Sequence, residues 1–188
     1  MGQRQTGLED LGVSADFWKD KKVFLTGAAG FLGSWMAAEL VKRGAQVTAL
    51  VRDQVPESHF NLSGVSKEVN IVHGPLTEFD IVSRAFLEYE IEYCFHVAAQ
   101  AVVGVANENP LSTFESNIKG TWNLLEAGRR SPRLKGAVVA SSDKAYGTQA
   151  VPYREEAPLL GQYPYDTSKA CTEYLTRCYA KTYSLPVA

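Results

Sequence analysis

Cysteine is scarce in this chain, neither sign of charge dominates, and no apolar run is long. Its three cysteines, Cys94, Cys171 and Cys178, are odd in number and match no CxxC spacing. That pattern excludes a disulfide framework and a cysteine-built metal cluster, and no metal site is expected. Nineteen basic against twenty-one acidic residues leave a formal net charge of −2, too balanced for nucleic acid or a membrane surface to be an expected partner. The longest purely apolar runs are a few residues, against the roughly 20 that a spanning helix needs. No basic start followed by an apolar stretch opens the chain, so no secretory signal is expected and the location expected is cytoplasmic. Met1-Gly2 followed by Thr6 matches a short myristoylation pattern that nothing else in the sequence supports.

What is present is an ordinary globular composition: 188 residues, 45% hydrophobic, 15 Gly and 8 Pro. That length fits one domain with its own core. Residues 1–20 read as a polar leader ending in the aromatic pair Phe17-Trp18, and residues 21–188 as the domain. Short β-rich runs at Lys22–Thr26, Gln46–Val51, Asn70–His73, Tyr93–Val97 and Gly136–Ser142 alternate with helical spacing at Phe31–Arg43, Thr77–Tyr89, Pro110–Ala127 and Tyr165–Tyr183. Along the first helix the apolar residues Phe31, Leu32, Trp35, Met36, Leu40 and Val41 fall at helical spacing, and Trp35 is expected in the core. Trp122, Cys171 and Cys178 are also expected in the core, and His96, at a strand end, reads as structural. The polar segment Arg52–Val69 is expected to carry little regular structure, Asp143–Pro164 a loop, and Leu185–Val187 the opening of a sixth strand. This alternation predicts an α/β fold, a doubly wound parallel sheet of order 3-2-1-4-5 with its ligand at the carboxyl edge beside the first strand.

Two patterns carry chemistry. Gly27-Ala28-Ala29-Gly30-Phe31-Leu32-Gly33 follows the first strand and opens the first helix. Glycine is needed where backbone turns with positive φ and where a pyrophosphate approaches without a Cβ in the way, while the helix start offers free N–H groups. At the end of the second strand an acidic residue holds a ribose hydroxyl and an Arg accepts a 2′-phosphate. Arg52-Asp53 offers both, so NAD and NADP both stand. The second pattern is Ser141-Ser142-Asp143-Lys144 at a strand end, followed by Tyr165 and Lys169, which sit four apart on one helix face. An ammonium beside a phenol favours the phenolate, which can then take a proton from a sugar hydroxyl while hydride leaves for the cofactor.

Together the glycine loop, His96-Val97-Ala98-Ala99, Asn117-x-x-Gly120-Thr121, Ser141-Ser142 and Tyr165-x-x-x-Lys169 resemble the extended short-chain dehydrogenase/reductases of the nucleotide-sugar branch, from about Phe17 to the end. Phe17-Trp18-Lys19, Gly30-Phe31-Leu32-Gly33-Ser34-Trp35, Ser142-Asp143-Lys144-x-Tyr146 and Tyr153-Arg154-Glu155 are most similar to the CDP-glucose 4,6-dehydratases. The resemblance implies a Rossmann-type domain binding NAD through Gly27, Gly30, Phe31, Leu32, Gly33, Arg52, Asp53, Leu76, Ala98, Ala99, Asn117, Tyr165 and Lys169. It implies that Ser142 hydrogen-bonds the reacting 4-hydroxyl, that Tyr165 is its base and that Lys169 binds the nicotinamide ribose. Asp143 and Lys144 would be the acid–base pair of the elimination across carbons 5 and 6, a coupled titration in which either could take the carbon-5 proton. The implied substrate is a nucleotide sugar, CDP-glucose foremost, and the implied assembly a homodimer through the helices Pro110–Ala127 and Tyr165–Tyr183. An epimerase or reductase needs only Ser142, Tyr165 and Lys169, and a dinucleotide-binding module without catalysis is the rival from another class. Two departures stand out. Pro75 follows Gly74 where the branch carries Asp, and the branch adds a C-terminal substrate domain for which 188 residues leave no room, so a portion of a longer enzyme is expected.

Overall fold

In the first strand every residue after Lys22 is buried, the signature of a strand covered on both faces. The computed structural model describes residue 14 and residues 16–188; most of the expected leader, with the myristoylation pattern, lies outside them. Five strands, β1 (Lys22–Thr26), β2 (Gln46–Val51), β3 (Asn70–His73), β4 (Tyr93–His96) and β5 (Gly136–Val139), form a parallel sheet of order 3-2-1-4-5. The helices are α1 (Phe31–Lys42), α2 (His59–Leu62), α3 (Phe79–Glu88), α4 (Val103–Glu108), α5 (Pro110–Phe114), α6 (Gly120–Arg130) and α7 (Pro164–Tyr183). Alternate residues of β1 divide between two cores. Val23 and Leu25 join Val47, Ala49 and α1 on one face, and Phe24 joins Val72, α3 and Leu124 of α6 on the other. Phe17 and Trp18 pack edge-on against Tyr93, 5.5 Å between ring centroids in each case, and close the first core at its rim.

Several expectations need correction. The buried stripe of α1 is Gly33, Ser34, Ala37 and Leu40. Small side chains let this helix approach the sheet closely, and that turns Phe31, Leu32 and Trp35 outward. Trp35 stacks on His59 rather than entering the core, and Trp122 and Cys178 are exposed as well. The stretch Arg52–Val69 holds α2 and a short 3-10 turn at Val65–Lys67, each pinned by one buried residue, Phe60 and Val65. The helix expected from Thr77 starts at Phe79 because the Glu78 N–H closes a turn on the Pro75 carbonyl. β5 stops at Val139, so Ser141 and Ser142 lie beyond the ladder. A 3-10 turn occupies Asp143–Tyr146 inside the expected loop, and Val187 makes a single parallel bridge to Ala137. No described helix is long and apolar enough to cross a membrane.

Candidate active site

The carboxyl edge beside β1 is where the sheet order reverses, and there the chain turns tightly. Gly27 takes φ +74°, a conformation that L side chains rarely adopt, and a Cβ on it would meet the Ala98 nitrogen at 2.9 Å. A Cβ on Gly33 would stand 2.1 Å from the Gly27 carbonyl. α1 begins at Phe31 without a side-chain cap, so its first N–H groups face whatever occupies the turn.

Beside this turn lies a cavity of about 260 Å³. Gly27, Gly30, Ala98 and Ala99 line it at the turn, and Arg52, Asp53, Val55 and Leu76 further along. The Arg52 Nε donates to Asp53 Oδ2 at 2.6 Å, a pair mostly in solvent and therefore weak. A cradle that a Cβ would fill, an uncapped helix start and a carboxylate with a guanidinium at the far end together fit a dinucleotide. Phe31 and Leu32 do not line the cavity; their side chains point into solvent, 91% and 55% exposed. Pro75 is a wall of the cavity in the place where the resemblance leads one to expect Asp.

The second cluster is built on α7 and on the turn after β5. Ser142 caps the 3-10 turn: its Oγ accepts from the Lys144 N–H and donates to Asp143 Oδ1, each at 3.2 Å. Asp143 and Lys144 are exposed, and among the described residues they form no ion pair with each other. Neighbouring Ser141 is turned away and donates to Glu173 of α7 at 2.6 Å. On α7, Tyr165 is half-buried and Lys169 is buried, its Nζ donating to the Ala140 carbonyl at 2.7 Å. Burial lowers the Lys169 pKa from 10.5 to about 8, so the ammonium persists at neutral pH close to its titration point.

Asn117 is 2% exposed and lies off the cavity. It ties the two clusters together. Its Oδ1 accepts from the Gln100 N–H at 2.7 Å; its Nδ2 donates to the Gln100 carbonyl and to Ser168 Oγ at 3.1 and 2.9 Å. Ser168 Oγ passes its own proton to the Tyr165 carbonyl at 2.7 Å. Since Gln100 lines the cavity, a continuous run of hydrogen bonds leads from the glycine-turn side to the first turn of α7. Sequence reasoning missed Gln100, Ser168 and Thr26. Thr26 could have been found as a polar residue closing an otherwise apolar strand, and Ser168 as the neighbour of Lys169.

Residues 24–188 match the GDP-mannose 4,6 dehydratase family. The chain is 33% identical over 178 residues to the CDP-glucose 4,6-dehydratase of Salmonella typhimurium, covering 93% of this chain and 49% of that protein. To the UDP-glucose 4-epimerase of Erwinia amylovora it is 33% identical over 173 residues, covering 85% and 48%. Among solved structures, the UDP-glucose 4-epimerase of Thermus thermophilus in complex with NAD superposes with a TM-score of 0.77 at 34% identity, over 88% of this chain and 53% of that one. A double mutant of dTDP-glucose 4,6-dehydratase from Streptomyces venezuelae with NAD bound gives 0.79 at 26%, with the same coverage. The chain thus spans about half the length of the curated relatives it matches. A glycine turn at the switch point, linked through Gln100, Asn117 and Ser168 to the helix that carries Tyr165 and Lys169, is therefore no chance assembly: the chain belongs to the GDP-mannose 4,6 dehydratase family of nucleotide-sugar short-chain dehydrogenase/reductases.

Proposed function

We propose that this chain is the cofactor-binding half of an NAD-dependent nucleotide-sugar 4,6-dehydratase, with CDP-glucose as the foremost substrate. The observation that carries the reading is the exposed Asp143-Lys144 pair, presented on the turn capped by Ser142 and packed beside α7. Further support comes from the CDP-glucose 4,6-dehydratase relative and from neighbours crystallised with NAD. NAD would lie against Gly27, Gly30, Ala98 and Ala99, with its adenosine ribose towards Asp53 and Arg52. Gly33 would act by keeping the turn tight, Phe31 and Leu32 through their backbone N–H groups, and Asn117 by holding Gln100.

NAD, when bound, would supply a hydride acceptor and, once reduced, a hydride donor. Ser142 Oγ holds the sugar 4-hydroxyl, and Tyr165 Oη takes its proton as the carbon-4 hydride departs. Lys169, one turn along α7 from Tyr165, would bind the nicotinamide ribose. Oxidation makes carbon 5 acidic. One member of the Asp143–Lys144 pair removes that proton while the other protonates the departing 6-hydroxyl, so water leaves across carbons 5 and 6. With a proton returned to carbon 5 and the hydride that the cofactor would give back to carbon 6, the product would be a 4-keto-6-deoxy sugar. Homodimerisation through the surface of α5, α6 and α7, where Leu111, Trp122 and Tyr174 are exposed, belongs to the same proposal.

The full-length protein mixed with CDP-glucose is expected to release a 4-keto-6-deoxy sugar, detected by mass loss of water. Asp143→Asn and Tyr165→Phe are each expected to lower its formation by about 10²-fold or more, the scale of a lost acid–base group. Continued dehydration by Asp143→Asn contradicts the role given to Asp143, whereas a wild type that inverts carbon 4 without losing water contradicts the reading and favours the second one, a 4-epimerase. The epimerase relative supports that alternative, and its chemistry asks nothing of Asp143.

A further inference from the structure

The motif His96-Val97-Ala98-Ala99 entered the proposed chemistry only through its alanines, yet its histidine occupies a central place. His96 is 3% exposed at the end of β4, beside β1. Its Nδ1 lies 2.8 Å from Thr26 Oγ1 and its Nε2 lies 3.0 Å from Thr121 Oγ1 on α6. The proton positions follow from the partners. Thr121 Oγ1 donates its single proton to the Asn117 carbonyl at 2.6 Å, so towards His96 it can only accept, and Nε2 carries the hydrogen. Nδ1 then accepts from Thr26, whose oxygen in turn accepts from the Ala98 N–H at 3.2 Å. Every group in the chain is satisfied by a neutral imidazole of one tautomer. A second proton on the ring would make Thr26 Oγ1 the acceptor and leave the Thr26 hydroxyl proton without one among the described hydrogen bonds.

The two ends of this chain of bonds are functional places. Ala98 lines the cofactor cavity and contacts the glycine turn. Asn117 sits in a single π-helical stretch, Glu115–Lys119, interposed between α5 and α6. Its carbonyl also takes a bond from Thr172 of α7 at 3.3 Å, one turn beyond Lys169. π-helical stretches of this kind occur mostly at functional sites.

We propose that His96 is a positioning residue, a fixed neutral strut that sets the spacing between the glycine turn and the helix carrying Tyr165 and Lys169. Resting on Tyr165 as the base proposed above, this assigns to His96 the alignment of the phenol with the nicotinamide, not the affinity for the dinucleotide. Burial, with the Lys169 charge nearby, lowers its pKa to about 3, in keeping with a ring that stays neutral wherever the protein works.

The test uses the full-length protein, Thr121→Val, which keeps the shape and removes the hydroxyl, and Thr121→Ser, which keeps the hydroxyl. Nitrogen-edited NMR of the wild type is expected to show His96 as the Nε2–H tautomer without titration between pH 5 and 8; an Nδ1–H tautomer, or titration in that range, overturns the proposal. With NAD bound, the proton affinity of the Tyr165 phenol, read as the ultraviolet difference against Tyr165→Phe, is expected to rise about tenfold in Thr121→Val. It is expected to return to the wild-type value in Thr121→Ser, with NAD affinity unchanged in both. With nucleotide sugar present, single-turnover reduction of NAD by Thr121→Val should fall about ten- to a hundredfold, the scale of an ångström of misplacement. An unmoved phenol titration, or equal losses in NAD affinity and rate, overturns the proposal. Should Thr121→Val fail to fold, His96→Asn, which keeps a partner for Thr26 and does not reach Thr121, takes its place. If the wild type converts no sugar but the phenol titration still moves, the dehydratase reading falls and the strut stands.

Discussion

Lys169 combines two demands that pull against each other. Its ammonium is buried and, among the described residues, bonds to the Ala140 carbonyl, yet the proposed chemistry asks it to carry a charge near Tyr165. With the folded pKa at about 8 against 10.5 in a solvated lysine, burial penalises the protonated form. The favourable contribution is therefore present above the unfolded value and lost as pH falls through the folded one. Wild-type stability relative to Lys169→Met is expected to rise between pH 8 and pH 10.5 and to level off below 8. Urea unfolding of both proteins across that range measures it; a difference that is flat with pH, or falls with rising pH, contradicts the burial. That Tyr165 and Lys169 stand one turn apart on a single helix was legible from their spacing. The Ala140 partner was not, because a carbonyl acceptor leaves no mark in the side-chain sequence.

At the scale of elements, the expected strands begin where the ladders begin, because β-rich apolar runs bounded by Gly, Asn or charge mark them. Helix faces were harder to read. On α1 Phe31, Leu32 and Trp35 face water, while Gly33, Ser34, Ala37 and Leu40 face the sheet with Met36 and Val41 packed at the edge of the core, so bulk alone misplaces Trp35 on a closely docked helix. On α7 the buried face is Asp166, Ser168, Lys169, Thr172 and Thr176 with Ala170. It is polar because it docks on the Asn117 stretch, whose backbone accepts hydroxyl protons. The long helix expected from Pro110 is interrupted there, and periodicity cannot register one inserted residue. Asn117→Ala removes three hydrogen bonds and strands the Gln100 N–H. Calorimetric or urea unfolding is expected to show a loss of about 1–3 kcal/mol, the cost of leaving a buried polar group unmade. A variant as stable as the wild type contradicts the clamp.

For the whole molecule, the doubly wound order places the turn after β1 and the end of β4 side by side, and a dinucleotide belongs at that reversal. Ser142 caps the turn that follows β5, and Tyr165 opens α7 after it. That arrangement followed from alternating elements and glycine placement. What binds the nucleotide and sugar did not follow, because this chain spans about half of its relatives' length. The proposed reaction moves one hydrogen between two carbons of the same sugar, and its fate can be followed. CDP-glucose carrying deuterium on carbon 4 is given to the full-length protein with NAD, and the product is examined by mass spectrometry and NMR. The expected product has lost water and bears the deuterium on carbon 6. A product that retains the deuterium on carbon 4, inverted or not, with the 6-hydroxyl in place, contradicts a 4,6-dehydratase.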